Sequence, residues 1–250
     1  MIKTHASLFS GIGGFDLAAE WMGWENVFHC EWNEFGQRVL KHRFPKAESF
    51  GDISKADFTK YENSIDIISG GFPCQDISIA NVHKGGGKGI QGARSGLWKE
   101  YARVIREVRP RYVVFENSPM LTSRGFEQVL CDLSGMGYDA EWRSFFATQF
   151  GFNHRRKRTF GIAYASCVRL QNTFKEGGIL SKILQQQPPG QNCISVPLKR
   201  FNAKSDFRDI QLYDGFSEEL DKDSMMAFGN AIVPQVAFEI FKAIEQYEKQ

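Results

Sequence analysis

The sequence predicts an α/β fold: a doubly wound sheet with a small, loop-rich second domain. Three observations carry this prediction. Short apolar runs such as Ile65 to Ile68 are β-branched and bounded by glycines, as buried parallel strands are. Segments with helical spacing alternate with such runs. Turns bearing polar or acidic residues follow the strands, at the sheet edge where open α/β folds bind ligands. With 250 residues, 42% hydrophobic and 24% charged, the chain can bury one full core and carry a small appendage.

Ser7-Leu8-Phe9 closes a first strand that runs into Ser10-Gly11-Ile12-Gly13-Gly14, after which Phe15, Leu17, Ala18, Trp21 and Met22 show helical spacing. A strand, a glycine turn and a helix form a cradle for a nucleotide-like ligand near the helix N-terminus. Asp16 stands where a dinucleotide motif has its third glycine, and an ordinary tight turn is the alternative. The second strand, Val27 to Cys30, ends on Glu31 and Trp32. Glu31 follows Gly11 by about 20 residues, the offset at which an acid accepts a hydrogen bond from a ribose hydroxyl; a solvated glutamate is the plainer reading. Together the two features favour an adenosine-containing cofactor. A helix over 33–43 precedes Gly51-Asp52-Ile53, where Asp52 either accepts from an adenine amino group or caps a turn.

After Ile65 to Ile68, Gly70 and Gly71 break the strand and Pro73 fixes φ beside them, leaving Cys74 in a Gly-Gly-Phe-Pro-Cys-Gln turn. A packing cysteine needs no such platform, so Cys74 reads as a nucleophile. The glycine-rich segment 77–96 suits a mobile lid or a plain surface loop. A helix over 95–107 buries Leu97, Trp98, Tyr101, Val104 and Ile105. Arg111 to Phe115 forms the next strand, with Glu116-Asn117-Ser118-Pro119 at its carboxyl end. That placement desolvates Glu116, raises its pKa and lets it donate a proton.

A helix over 124–135 and a strand over 138–147 lead to His154-Arg155-Arg156-Lys157-Arg158 and a strand over 158–165. Strand alternation points Arg156 and Arg158 the same way, toward solvent or toward a substrate oxygen. Ser166 to Lys222 lacks periodicity and reads as the appendage, dividing the chain into a catalytic unit over 1–165 completed by 223–250 and a small segment over 166–222. After Gly229-Asn230-Ala231, a closing helix buries Ile232, Val233, Val236, Ile240, Phe241 and Ile244.

Seven features stand in one order: Phe9 to Gly14, Glu31, Gly51-Asp52-Ile53, Phe72 to Gln75, Glu116-Asn117, His154 to Arg158, and Gly229 to Pro234. The ordered set resembles the cytosine-C5 DNA methyltransferases over Ser7–Ala165 and Leu220–Glu245. Ser118 and His154 depart mildly from that family's pattern, and 166–222 is shorter than its usual DNA-reading segment. The resemblance implies a Rossmann-like methyltransferase sheet that binds S-adenosyl-L-methionine and releases S-adenosyl-L-homocysteine. It implies a catalytic set of Cys74, Gln75, Glu116, Asn117, Arg156 and Arg158. Cys74 adds to C6 of an extruded cytosine, protonated Glu116 bonds N3, Arg158 holds O2 with Arg156 in support, and Asn117 orders the Pro73-Cys74 turn. Around the cofactor it implies Phe9, Gly11, Gly13, Gly14, Glu31 and Trp32, then Asp52, Ile53, Leu97, Asn230 and Ala231. The partner it implies is double-stranded DNA, met by a monomer in the cytoplasm of a bacterial cell or phage host; a cognate restriction endonuclease is left open. A tRNA-modifying branch of the same scaffold carries Pro-Pro-Cys-Gln where this chain has Phe72-Pro73-Cys74-Gln75. A silent DNA-binding relative loses the cysteine or the glutamate, and both are present here.

Other classes find little support. Net charge is +2, so any basic footprint is local. Five cysteines without C-x-x-C spacing suggest neither a metal site nor a disulfide framework, and fit a reducing cytosol. No apolar run reaches the roughly 18 residues of a membrane span, and the N-terminus lacks a signal-peptide core, so a soluble intracellular protein is expected.

Overall fold

The structure, a computed structural model, describes residues 1–73, 96–123, 125–152, 155–165, 178–180, 183 and 231–249. Cys74, Gln75, His154, Asn230 and the segment 77–95 lie outside them, as does most of 166–222.

The first half alternates strand and helix: β1 (Thr4–Leu8), α1 (Gly14–Trp21), β2 (Glu25–Cys30), α2 (Glu34–Arg43), β3 (Glu48–Phe50) and β4 (Ile67–Gly70). The second half holds α3 (Leu97–Val108), β5 (Tyr112–Asn117), α4 (Phe126–Gly135), β6 (Tyr138–Phe146), β7 (Lys157–Ala165) and α5 (Pro234–Glu248). One seven-stranded sheet has the order β3-β2-β1-β4-β5-β7-β6. Strands β1 to β5 are parallel, and β7 runs antiparallel to both β5 and β6.

This order positions the site. The chain winds from β1 out to β3, then returns to β4 and winds the other way, so its direction reverses between β1 and β4. Loops leaving two such strands diverge and open a crevice past their carboxyl ends. Leu8 and Gly70 are paired in register, so the glycine turn after β1 and the Gly71–Pro73 stretch after β4 leave the sheet side by side.

Apolar layers cover both faces. Ala6, Leu8, Ile68, Val113 and Phe115 pack beneath α3 and α4, chiefly against Trp98, Tyr101, Val104 and Leu133. Ile67, Tyr112, Val114, Phe160 and Ile162 pack beneath α1 and α5, against Phe15, Ala18, Ile240 and Phe241. Each large side chain buried this way stabilises the fold by about 1.5–3 kcal/mol. At its far end α5 is fastened by Glu248, which accepts from the Tyr112 hydroxyl at 2.6 Å and pairs with Arg111.

Several boundaries differ from the sequence reading. Strand β4 starts at Ile67 rather than Ile65, because the Asp66 carboxylate binds the backbone N–H groups of Lys3 and Thr4 at 2.8 and 3.1 Å ahead of the strand pairing. Strand β5 runs from Tyr112 through Asn117 rather than from Arg111 to Phe115. Helix α5 begins at Pro234, whose fixed φ suits a first helical turn, so Ile232 and Val233 lie in the chain ahead of it. Within 166–222, Ile179, Leu180 and Ile183 are buried in the same core as α5, and Glu141 on β6 accepts from the Ile179 N–H at 2.8 Å.

Candidate active site

The glycine turn is held in an uncommon conformation. Phe9, Gly11 and Gly13 have φ of +51°, +58° and +84°. For an aromatic residue such as Phe9 this left-handed geometry costs on the order of 1 kcal/mol or more, so surrounding bonds must fix it. The Ser10 N–H donates to the Cys30 carbonyl at 3.1 Å, and the Gly13 N–H donates to the Ser10 carbonyl at 2.9 Å. The Gly11 N–H donates to Glu31 Oε2 at 2.7 Å, while Glu31 Oε1 accepts from the Asn33 N–H at 2.8 Å. Glu31, expected to face a ribose, thus ties the turn to the end of β2 with one oxygen and orients the start of α2 with the other.

Asp52 Oδ1 accepts from the Ser54 N–H at 3.0 Å and from its hydroxyl at 2.7 Å, which is the turn-capping alternative. Ile53 beside it is buried. Trp32 exposes 71% of its surface and so offers an open aromatic face past β2. Leu97 is partly buried against the α3 side of the core.

Close packing brings the far end of the chain to this turn. A Cβ on Gly14 would come within 2.6 Å of the Ile232 carbonyl oxygen, so only glycine lets residues 231–233 approach the start of α1. Gly13, Gly14 and Ala231 share a cavity of about 170 Å³ with Ile12, Phe152, Arg156 and Pro234. Phe9, Glu31, Trp32, Asp52, Ile53 and Leu97 do not line it.

A second, smaller space of about 20 Å³, sized for one water-like group, is bounded by Glu116, Arg156, Arg158, Phe160 and Ile232. The Glu116 side chain is almost fully buried at the end of β5. Burial pushes its pKa up to about 7, opposed by the charges of Arg158 and Arg156. Arg158 Nε lies 2.8 Å from Glu116 Oε1 as an ion pair. Arg156 is half-buried, and desolvation followed by Arg158 lowers its pKa. Glu116 therefore stands near the midpoint of its titration, able to hold a proton and to release it.

The turn that leads to Cys74 is pinned against this acid. A Cβ on Gly71 would meet Glu116 Oε2 at 3.0 Å and Ile232 Cδ1 at 3.3 Å, so the backbone there runs directly beside the carboxyl. The Asn117 amide donates to the Phe72 carbonyl at 3.1 Å. Its Oδ1 accepts from the Ser118 N–H at 2.8 Å, which fixes the amide's orientation.

The structure thus brings together Glu116, Asn117, Arg156, Arg158 and the backbone of 71–73. It separately brings Gly11 to Glu31, and Gly13 and Gly14 to Ala231. The positions of Cys74, Gln75 and Asn230 are not among the described residues. Sequence reasoning missed a group of buried polar residues beneath the glycine turn: Ser7, Ser10 and Asp16, with His5 and Ser69. The available signal was a polar residue at every second position of a short strand, His5 and Ser7, followed by an acid on the inner side of α1. Among the described residues, no group of three or more His, Cys, Asp or Glu side chains is placed to hold a metal ion, and no helix is long and apolar enough to cross a membrane.

Comparison with known proteins places these features in context. Residues 4–226 match the family described as C-5 cytosine-specific DNA methylase. The type II methyltransferase M.NgoBI of Neisseria gonorrhoeae is 34% identical over 67% of this chain and 52% of its own length. M.HhaI of Haemophilus parahaemolyticus is 32% identical over 66% of this chain and 50% of its own. M.Sau3AI of Staphylococcus aureus is 28% identical over 97% of this chain and 62% of its own. The chain thus spans about half the length of the first two relatives. Among solved structures, a DNA modification methyltransferase encoded within an Escherichia coli prophage aligns with a TM-score of 0.56 at 24% identity, covering 67% of this chain and 48% of that one. The Entamoeba histolytica methyltransferase EhMeth aligns at 0.54 with 17% identity, covering 66% and 53%. At such identities the structural likeness speaks for the fold.

Proposed function

Because the chain belongs to the C-5 cytosine-specific DNA methylase family, we propose that it methylates C5 of a cytosine extruded from duplex DNA. The observation that best supports this is the acid beside the nucleophile's turn: Glu116 buried at the end of β5, its carboxyl against Gly71, with Asn117 binding Phe72.

The chemistry follows from the substrate. Cytosine C6 is a weak electrophile, so a thiolate from Cys74 adds there only if electron density is drawn from the ring. The protonated fraction of Glu116 donates a hydrogen bond or proton to N3 and supplies that pull. Arg158 tempers the acid through its ion pair and, with Nη1 donating to the Lys157 carbonyl at 2.9 Å, offers Nη2 to O2. Arg156 lines the same space and adds positive potential. The C6–S bond formed at Cys74 leaves an electron-rich C5, which takes the methyl group; a base then removes the C5 proton and the thiolate leaves. S-adenosyl-L-methionine, when bound, supplies the electrophilic sulfonium methyl.

The residues present suit that donor. Along the Phe9–Gly14 turn, Gly11 leaves open space where a Cβ would stand, and Trp32 presents an open ring for a purine. Glu31, Asp52, Ile53 and Leu97 border the same sheet edge, with Asn230 completing the cofactor set. The target base leaves the stack at a cost of a few kcal/mol. Residues 166–222 read the flanking sequence. The partner is double-stranded DNA, met by a monomer in the cytoplasm of a bacterial cell or phage host. The type II designation of the relatives supports a cognate restriction endonuclease as a further partner.

Bisulfite sequencing of plasmid DNA from cells expressing the chain tests the reading. Protected cytosines in one sequence context are expected with the wild type and none with Cys74→Ala. Unprotected plasmid with the wild type, or protection that survives in the variant, contradicts it.

A further inference from the structure

Ser7, Ser10 and Asp16 are buried where an apolar pattern would place hydrocarbon, and they form one connected chain. Asp16 lies in the first turn of α1, with Ser7 Oγ at 2.8 and 2.9 Å from its two carboxyl oxygens. Ser7 Oγ is 2.6 Å from Ser10 Oγ. The Ser10 hydroxyl lies 3.2 Å from the Ser7 carbonyl and 3.2 Å from the Cys30 carbonyl, the latter also bound by its own N–H at 3.1 Å. A carboxyl on α1 is thereby linked through two hydroxyls to the end of β2, and the chain between them is the turn with Phe9, Gly11 and Gly13 at positive φ. Asn26 adds a parallel link: its amide donates to the Asp16 carbonyl at 2.9 Å, and its Oδ1 lies 2.6 Å from His5 Nδ1.

Each serine hydroxyl has a single hydrogen, which gives the chain a direction. With Asp16 protonated, the carboxyl donates to Ser7, Ser7 to Ser10 and Ser10 to the Cys30 carbonyl. With Asp16 ionised, Ser7 donates to the carboxylate, Ser10 is drawn to Ser7, and the Cys30 carbonyl loses the hydroxyl. Burial raises the Asp16 pKa to about 7, against the lowering effect of the Ser7 hydroxyl and a backbone hydrogen bond. The Ser10 N–H keeps its bond to the Cys30 carbonyl in both forms, and the neutral carboxyl adds the Ser10 hydroxyl to it.

We infer that Asp16 is a positioning residue: through Ser7 and Ser10 it holds the Phe9–Gly13 turn in the shape that receives the methyl donor. This rests on the reading of that turn as the cofactor cradle. An apolar residue at position 16 would fill the same volume and leave two buried hydroxyls without the partner that orients them.

Calorimetric titration of S-adenosyl-L-methionine into the full chain, with thermal melts alongside, tests the inference. Asp16→Asn keeps the shape and a donor, and is expected to bind within about threefold of wild type. Asp16→Ala and Ser10→Ala are expected to bind about tenfold or more weakly. Ile244→Ala, a core truncation on α5, controls for stability: it is expected to lower the melting temperature and leave the affinity unchanged. If Asp16→Ala does not fold, Ser10→Ala carries the test. Wild-type affinity in folded Asp16→Ala or in Ser10→Ala overturns the inference, as does an equal loss in Ile244→Ala. Absence of binding by the wild type contradicts instead the cofactor reading itself.

Discussion

Asp16 and Glu116 are both buried carboxyls raised to about 7, yet their surroundings differ. Asp16 sits at the start of α1 among hydroxyls, and it is held away from solvent and from any described cavity. Glu116 ends β5 facing two guanidinium groups across a space of about 20 Å³. In one, burial is moderated by hydrogen bonds that lock a turn. In the other, burial is held in check by the charges of Arg158 and Arg156. A perturbed acid therefore marks a reaction when it faces cations across an open space, and marks architecture when hydrogen bonds enclose it.

The sharpest way to break this contrast is to remove each proton in turn. Glu116→Gln keeps the shape but cannot act as an acid, and the methyl-transfer rate on duplex DNA is expected to fall about 10²–10⁴-fold. Asp16→Asn should leave kcat within a few-fold of wild type. Comparable losses in both would erase the distinction.

Arg158→Ala comes next in size. A rate loss of about 10- to 100-fold is expected from the missing cation. The pH profile is the more informative readout. In the wild type the protonated Glu116 population, and with it kcat/KM, declines as pH rises through about 7. Removing the nearest cation raises the Glu116 pKa further, so the alkaline limb should move to higher pH. A limb that stayed in place or moved lower would show that the ion pair does not set the acid's strength.

The remaining effect is on stability. Both carboxyls have folded-state pKa values above their unfolded ones, so their contribution is fully present below about pH 4 and is lost as pH rises through about 7. Asp16→Asn is therefore expected to gain on the wild type at pH 8, by on the order of 4 kcal/mol, and to match it near pH 4. Glu116→Gln should gain less, because it leaves Arg158 and Arg156 without a counter-charge. Denaturant melts at the two pH values decide the ranking.

The same contrast explains what could be read from the sequence. Glu116 was legible because Tyr112 to Phe115 form a run that must be buried, and the next residue inherits its desolvation. Arg158 followed from strand alternation, although Arg156 lies one residue ahead of β7, and the glycine turn followed from its punctuation. Ile65 misplaced the start of β4 because its burial beneath α3 imitates strand pairing, whereas the Asp66 hydrogen bonds begin the strand later. Glu31 was legible as an acid at the right place, but its hold on the Gly11 N–H depends on how the turn bends in space. Asp16 was hardest to read: a polar residue on a helix suggests solvent, and only its serine partners across β1 make it a buried one.

The most direct measurement uses a duplex carrying 5-fluorocytosine at the target position, with S-adenosyl-L-methionine present. Fluorine at C5 cannot be abstracted as a proton, so the C6–S bond persists once the methyl group has been added. The account predicts a denaturation-resistant protein–DNA species with the wild type, absent in Cys74→Ala and strongly slowed in Glu116→Gln. A wild-type chain that methylates ordinary duplex yet leaves no such species, or a Cys74→Ala chain that forms one, would contradict covalent catalysis at this site.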